Sequence, residues 1–190
     1  MDGSYNEDRT FTQADVKDVP LTGKVFEACT FDRCDLSGKD LRKCKFIGCT
    51  FTGCDLSMAK LGGVSLQQVV LKECKLLGID FSVCSEMLFS VEFEQCVLDH
   101  SVFAERKMPK TLAVRCSMKG VDFSGADLRE ARFGQCDLLD AVFDRTDLRQ
   151  ADLTSAFNFT IDPTTNRMRG ARFSVEGALG LLGGFGVVVE

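Results

Sequence analysis

The sequence predicts an all-β solenoid wound from five-residue repeats, and three observations predict it. Counted in fives from Phe26, the positions Phe31, Leu36, Leu41, Phe46, Phe51, Leu56, Leu61, Leu66, Leu71, Leu76 and Phe81 are all Phe or Leu. After a slip of two residues the count resumes at Leu88 and runs through Phe93, Leu98, Phe103, Met108, Ala113, Met118, Phe123, Leu128, Phe133, Leu138, Phe143, Leu148 and Leu153. Phe11, Val16 and Leu21 extend the first run upstream. The residue two before each of these is small in most repeats, as at Cys29, Cys34, Cys44, Ala59, Val64, Ala126 and Ala151. The third observation is composition: 16 Phe stand beside one Tyr and no Trp in 190 residues, as when one kind of large side chain fills the same niche repeatedly.

A period of five matches neither the period of two of a flat strand nor the 3.6 of a helix. The backbone must therefore turn at every repeat and return the same position to a shared axis. The small residue suits a tight corner beside a bulky neighbour. The other three positions carry nearly all the Asp, Lys, Arg, Gly and Thr and face water.

Composition bounds the function. The net charge of −5 argues against a nucleic-acid partner held through phosphate contacts. No apolar run approaches the roughly 20 residues of a membrane span, which argues against a membrane partner. The start, Met1-Asp2-Gly3-Ser4-Tyr5-Asn6-Glu7-Asp8, is acidic and polar, unlike a secretory signal. Ten Cys without such a signal point to a reducing, cytoplasmic location where they stay thiols.

Chemistry is hard to find in the chain. Zinc sites favour Cys pairs two to four residues apart, whereas here the shortest spacing is five and there is one His. Nine of the ten Cys occupy the small inward position, and Cys84 lies in the irregular stretch. Buried Cys acts as a small apolar residue. His100 falls at an outward position with no Ser or Asp set converging on it, and no phosphate-binding glycine loop appears. The reading is a binding protein with no catalytic residue, no metal, no cofactor and no small-molecule substrate.

Cys34-Asp35-Leu36-Ser37-Gly38, Val121-Asp122-Phe123-Ser124-Gly125, Ala126-Asp127-Leu128-Arg129-Glu130 and Ala151-Asp152-Leu153-Thr154-Ser155 follow the pattern small, Asp/Asn, Leu/Phe, polar, any. On these motifs the chain resembles the pentapeptide-repeat family over about residues 10–157. That resemblance implies a right-handed quadrilateral β-helix with four repeats, hence about twenty residues, per coil. It divides the chain into an N-terminal tail (1–10), a β-helix (11–157) and a C-terminal module (158–190). Twenty residues per coil would stack Cys34, Cys54 and Cys74 in one column, continued past the slip by Cys96, Cys116 and Cys136.

The repeat breaks twice. Ser82-Val83-Cys84-Ser85-Glu86-Met87 carries the slip. Near Glu105-Arg106-Lys107-Met108-Pro109-Lys110 the count is kept, but Arg106 falls at the small inward position and Pro109 is expected to remove a ladder donor. Leu88 and Met108 are twenty apart, so both breaks are expected on one face, forming a patch of Met87, Phe89, Lys107, Pro109 and Lys110 open to a partner.

After Ala156 the repeat is expected to stop. Ser174 can cap a short helix with Glu176 in its first turn, Gly183-Gly184 ends it, and Phe185-Gly186-Val187-Val188-Val189 reads as a strand. So short a helix needs support, and its surplus of apolar residues suggests a twofold homodimer through Leu179, Leu181, Leu182, Phe185, Val187 and Val188.

The run from Ile161-Asp162-Pro163 to Ala171-Arg172-Phe173-Ser174, followed by Gly186-Val187-Val188-Val189, is similar to the tail of the gyrase-protecting branch, which includes quinolone-resistance, microcin-immunity and albicidin-resistance proteins. That likeness implies protection of DNA gyrase, and by extension topoisomerase IV, from a poison by a DNA-shaped acidic rod. Residues 91–162 hold thirteen acids and nine bases, and Asp122, Asp127, Asp137, Asp147 and Asp152 precede inward Phe/Leu, so they are expected to form the acidic partner-binding face. This charge is far below the one per 1.7 Å of a duplex, so mimicry would rest on shape and local patches. The alternative is a scaffold for an unrelated protein partner.

Overall fold

The computed structural model describes residues 4–185. Its strands are short and parallel, and they pair in steps of twenty residues: Phe11 lies beside Phe31, Phe31 beside Phe51, and Phe51 beside Leu71. Four repeats make one square coil. Their inward residues define four faces: a first through Phe26, Phe46 and Leu66, a second through Phe31, Phe51 and Leu71, a third through Leu36, Leu56 and Leu76, and a fourth through Leu41, Leu61 and Phe81. The second face carries a continuous nine-stranded sheet along the molecule. Eight steps of about 4.8 Å give a rod about 38 Å long. This is the right-handed quadrilateral β-helix that the family resemblance implied.

The core is the axis of the rod. Phe26, Phe31, Leu36, Phe103, Phe123 and Leu138 are all fully buried. Successive coils stack their rings: Phe31 on Phe51 at 4.6 Å, Phe81 on Phe103 at 4.5 Å, and Phe123 on Phe143 at 5.2 Å between centroids. Adjacent faces meet edge to face, as at Phe26 and Phe31, 5.2 Å apart. Each buried Phe contributes about 1.5–3 kcal/mol through area removed from water.

The corners are made differently from the expectation. The left-handed backbone sits two residues after most inward residues, as at Arg33 (φ 48°), Glu130 (φ 59°) and Gln150 (φ 60°). The small residue follows it and turns inward. On the third and fourth faces the corner is closed by a turn in which the amide three residues on bonds back, as Ala59 N–H does to Leu56 O at 2.9 Å.

The Asp before an inward residue has a local job. Its carboxylate accepts from the amide two residues on, as Asp35 does from Ser37 (3.0 Å), Asp122 from Ser124 (2.8 Å) and Asp152 from Thr154 (3.0 Å). That amide is not part of the inter-coil ladder. Pro109 stands at this position, after Lys107 rather than an Asp, so it removes no ladder donor. The ladder runs on through Met108 N–H to Asp127 O (3.0 Å) and Lys110 N–H to Arg129 O (2.8 Å), and residues 104–112 do not project.

The ends of the rod also differ from the predicted boundaries. Tyr5–Glu7 pairs with Val25–Glu27, so the first coil begins inside the expected tail. A helical turn, Gln13–Val16, that the sequence reading did not foresee covers part of that coil. At the other end the ladder passes residue 157: Asp147 bridges Arg167, and Leu153 pairs with Phe173. Asn158 turns out to solvent, and Phe159 and Ile161 fill the core in its place. Asn166 replaces the small inward residue, its amide donating to Phe143 O (2.9 Å) and its oxygen accepting from Thr146 N–H (2.8 Å).

Ser174 caps a helical turn, Val175–Ala178, by accepting from Gly177 N–H at 2.9 Å. The helix narrows to 3-10 geometry at Leu179–Leu181 and again at Gly183–Phe185, so Phe185 is helical rather than the start of a strand. The strand expected beyond it lies outside the described residues. Gly180 packs on Phe159 so closely that a Cβ would stand 2.2 Å from the Phe159 carbonyl oxygen.

Candidate functional site

The two breaks in the repeat meet on the first face. The extra residues bulge outward, leaving Met87 (71% exposed) and Leu88 (69%) in water. Phe89, expected to be open to a partner, is buried instead. It takes the axial place predicted for Leu88, because two extra residues let the backbone turn one position later. Arg106 from the next coil is buried too. Its guanidinium donates to Ser85 O (3.2 Å), Cys84 O (2.8 Å) and Ser82 O, and lies over the Phe89 ring at 5.1 Å. The departure at Arg106 is therefore what closes the departure at 82–90. Lys107, Pro109 and Lys110 remain exposed beside the bulge, Lys110 paired with Glu130 at 3.7 Å.

The six Cys from Cys34 to Cys136 do stack in one column, and all ten thiols are free and buried. Most of them donate to a main-chain oxygen of the preceding coil, as Cys54 does to Phe31 O at 3.3 Å and Cys136 to Ala113 O at 3.4 Å. Burial pushes the Cys49 thiol up to about 11 and that of Cys84 up to about 12. Among the described residues no group of three or more His, Cys, Asp or Glu is placed to hold a metal ion.

The five predicted aspartates do not form one face. Spacings of five are quarter turns, so Asp137 lies on the third face, Asp122 on the fourth, Asp127 and Asp147 on the first and Asp152 on the second. The last three are in ion pairs: Asp127 with Arg129 (2.7 Å), Asp147 with Arg149 (2.6 Å) and Asp152 with Arg172 (3.3 Å). The guanidinium hydrogen bonds of Arg129 and Arg149 hold the first two carboxylates below the usual range. Asp137 is paired with Lys119 at 3.3 Å.

Sorting all charges by face exposes an arrangement that the linear count hid. In the C-terminal half, the third and fourth faces (residues 96–105, 116–125, 136–145 and 156–165) carry seven carboxylates against two Lys or Arg. The first and second faces (106–115, 126–135, 146–155 and 166–175) carry ten Lys or Arg against four carboxylates. This half of the rod is thus acidic along one flank and, even with Arg106 buried, basic along the other. The acidic flank also exposes Leu139 (43%), Val142 (46%) and Phe157 (46%), which follow one corner between Asp137, Asp140 and Asp144. Counting in twenties rather than fives would have revealed both flanks.

At the C-terminal end Leu179 (51%) and Phe185 (55%) are exposed, Leu182 is half-buried and Leu181 packs on the core. Val187 and Val188 lie outside the described residues.

Among the described residues no helix is long and apolar enough to cross a membrane. Residues 24–103 match the family model for a pentapeptide repeat region, and residues 116–156 match that for pentapeptide repeats in eight copies. No curated protein sequence matches the chain. A trypsin-treated variant of QnrB1, a plasmid-mediated fluoroquinolone resistance protein, is 24% identical over 98% of this chain and 97% of its own, with a TM-score of 0.50. Full-length QnrB1 is 24% identical over 96% and 97% of the two chains, with a TM-score of 0.47. HetL, a pentapeptide repeat protein involved in heterocyst differentiation regulation from the cyanobacterium Nostoc sp. strain PCC 7120, is 16% identical over 91% and 85%, with a TM-score of 0.30. With two family models aligned to its coils, the chain belongs to the pentapeptide-repeat family.

Proposed function

We propose that this chain is a non-catalytic protector of DNA gyrase, and by extension of topoisomerase IV, acting in the cytoplasm against a topoisomerase poison. The observation that carries this reading is the acidic flank with its exposed apolar strip. A carboxylate-rimmed line of Leu139, Val142 and Phe157 suits a basic protein surface, because apolar residues at the centre supply affinity and rim charges supply steering. A basic saddle built to hold a DNA segment has that character. The net charge of the chain is too small for mimicry of DNA along its whole surface, but one flank with seven carboxylates against two bases needs no such average. Asp122, Asp137, Asp140 and Asp144 belong to this face, while Asp127, Asp147 and Asp152 serve the fold.

Two further parts fit the same reading. The bulge presents Met87 and Leu88 beside Lys107 and Lys110, a second contact on the opposite flank. The exposed Val175, Leu179 and Phe185 at the capped end suit a twofold homodimer, which would double the length of the rod. The competing reading is a scaffold for an unrelated protein, favoured by the same exposed strip if its partner is not a topoisomerase.

Purified gyrase supercoiling, run with and without a quinolone or a peptide poison, separates the two. Protection predicts that the chain restores supercoiling in the poisoned reaction at concentrations that leave the unpoisoned reaction active. Absence of any binding to gyrase sinks the proposal and leaves the scaffold.

A further inference from the structure

Below the bulge the basic flank has no part in that reading, and its composition differs in kind from that of the acidic one. Arg129, Arg149 and Arg169 occupy equivalent places on three successive coils, about 4.8 Å apart. Arg132 and Arg172 stand round the corner, with Arg167 and Lys107 alongside. Part of this charge is spent internally, since Arg129 and Arg149 are bidentate on Asp127 and Asp147. Lys107, Arg132 and Arg169 are exposed and, among the described residues, have no ion pair. Arg167 reaches Asp147 only at 3.9 Å, with 75% of its side chain in water.

Apolar residues are scarce here. Leu112, 37% exposed, is the one large apolar side chain exposed on these coils of the two faces ahead of Val175 at the cap, and no aromatic ring is exposed among them. Away from the bulge, where Met87 and Leu88 are exposed, a surface so poor in apolar anchors is ill suited to a protein partner. One without aromatic platforms is poorly suited to unstacked single-stranded bases. What remains is charge on a straight, rigid frame. Its rungs lie within side-chain reach of the phosphates of a duplex, which each strand supplies about every 3.4 Å of helix axis.

We infer that the basic flank of the C-terminal half, centred on Lys107, Arg132 and Arg169, is a contact surface for the phosphate backbone of duplex DNA. Recognition is independent of sequence, because the flat flank carries no helix or ribbon to take its arginines into a groove. The overall charge of −5 opposes approach from a distance, so binding is weak and confined to this flank. The inference stands whether or not the acidic flank binds a topoisomerase. If both hold, the rod sits between an enzyme and the DNA beside it.

The test is fluorescence anisotropy of a labelled 20-base-pair DNA duplex of arbitrary sequence, titrated with the full chain from 25 to 200 mM KCl. Three released counterions predict a slope of log K against log salt of about −3. Arg132→Glu with Arg169→Glu should weaken binding at least tenfold and reduce the slope to about −1. Arg132→Gln with Arg169→Gln should do the same to a lesser degree, with an unchanged circular dichroism spectrum. Asp122→Asn with Asp140→Asn on the other flank should leave affinity within twofold or raise it. No binding at 25 mM KCl, or binding indifferent to the Arg substitutions, overturns the inference. So does salt-sensitive self-association abolished by those substitutions without duplex binding, which would give the flank to a second copy.

Discussion

At the scale of single residues, the inward small position decides how the rod behaves with pH. Its cysteines were legible in the sequence as packing residues, because nine of ten obey the five-residue count and none shows metal-ligand spacing. The consequence for stability needed their surroundings. Unfolded thiols ionise near 8.5, whereas burial raises Cys49 to about 11 and Cys84 to about 12. Between these limits the unfolded chain has released protons that the folded chain keeps. The stability from these thiols is therefore fully present below about pH 8.5 and is lost as pH rises toward 11 and 12. Each thiol withdraws about 1.4 kcal/mol per pH unit inside its window. Urea midpoints should be level from pH 6 to 8 and fall steeply above 9, and Cys49→Ala should flatten the fall. A midpoint unchanged to pH 10 would refute this account.

At the scale of elements, the joint between the bulge and the following coil is the clearest case of structure exceeding sequence. The slip of two residues was visible, and so was the misfit of an arginine at an inward place. What could not be read was that one explains the other, because the pattern carries no record of where the freed carbonyls of Ser82, Cys84 and Ser85 point. Nor could the count choose between Leu88 and Phe89, both large and apolar and one residue apart. The end of the solenoid was misplaced for a similar reason. Asn158 and Pro163 broke the count, although Met168 and Phe173 return to it. Arg106 should therefore be a structural keystone rather than a partner contact. Arg106→Met should destabilise the fold by about 3 kcal/mol, since the buried carbonyl of Cys84 and the half-buried ones of Ser82 and Ser85 lose a charged donor. Arg106→Lys should recover only part of this, because a point charge cannot span three acceptors. Equilibrium urea unfolding gives both values, and a loss under 1 kcal/mol for Arg106→Met would show that water replaces the guanidinium without cost.

At the scale of the whole molecule, the period of five determined the architecture, but function rests on the period of twenty. Five-residue spacing gathers Asp122, Asp127, Asp137, Asp147 and Asp152 into one motif position, while the fold disperses them over four faces. The linear charge sum blurred two flanks of opposite sign into a mildly acidic rod. This separation yields a prediction that tells apart the aspartates of the two flanks. Asp122→Asn with Asp140→Asn and Asp144→Asn removes three charges from the acidic flank. At position 122 Asn can still accept from the Ser124 amide, and Asn tolerates the left-handed backbone at Asp140 (φ 57°). The fold should survive, while the concentration needed to rescue poisoned gyrase should rise about tenfold, mainly through slower association. Phe157→Ser, which removes an exposed aromatic anchor from the same strip, should act in the same direction through faster dissociation. Asp127→Asn with Asp147→Asn frees Arg129 and Arg149 on the other flank and should leave rescue within twofold. Equal losses from both aspartate sets would mean that the flank does not matter, and the division of labour between the two sides of the rod would fall.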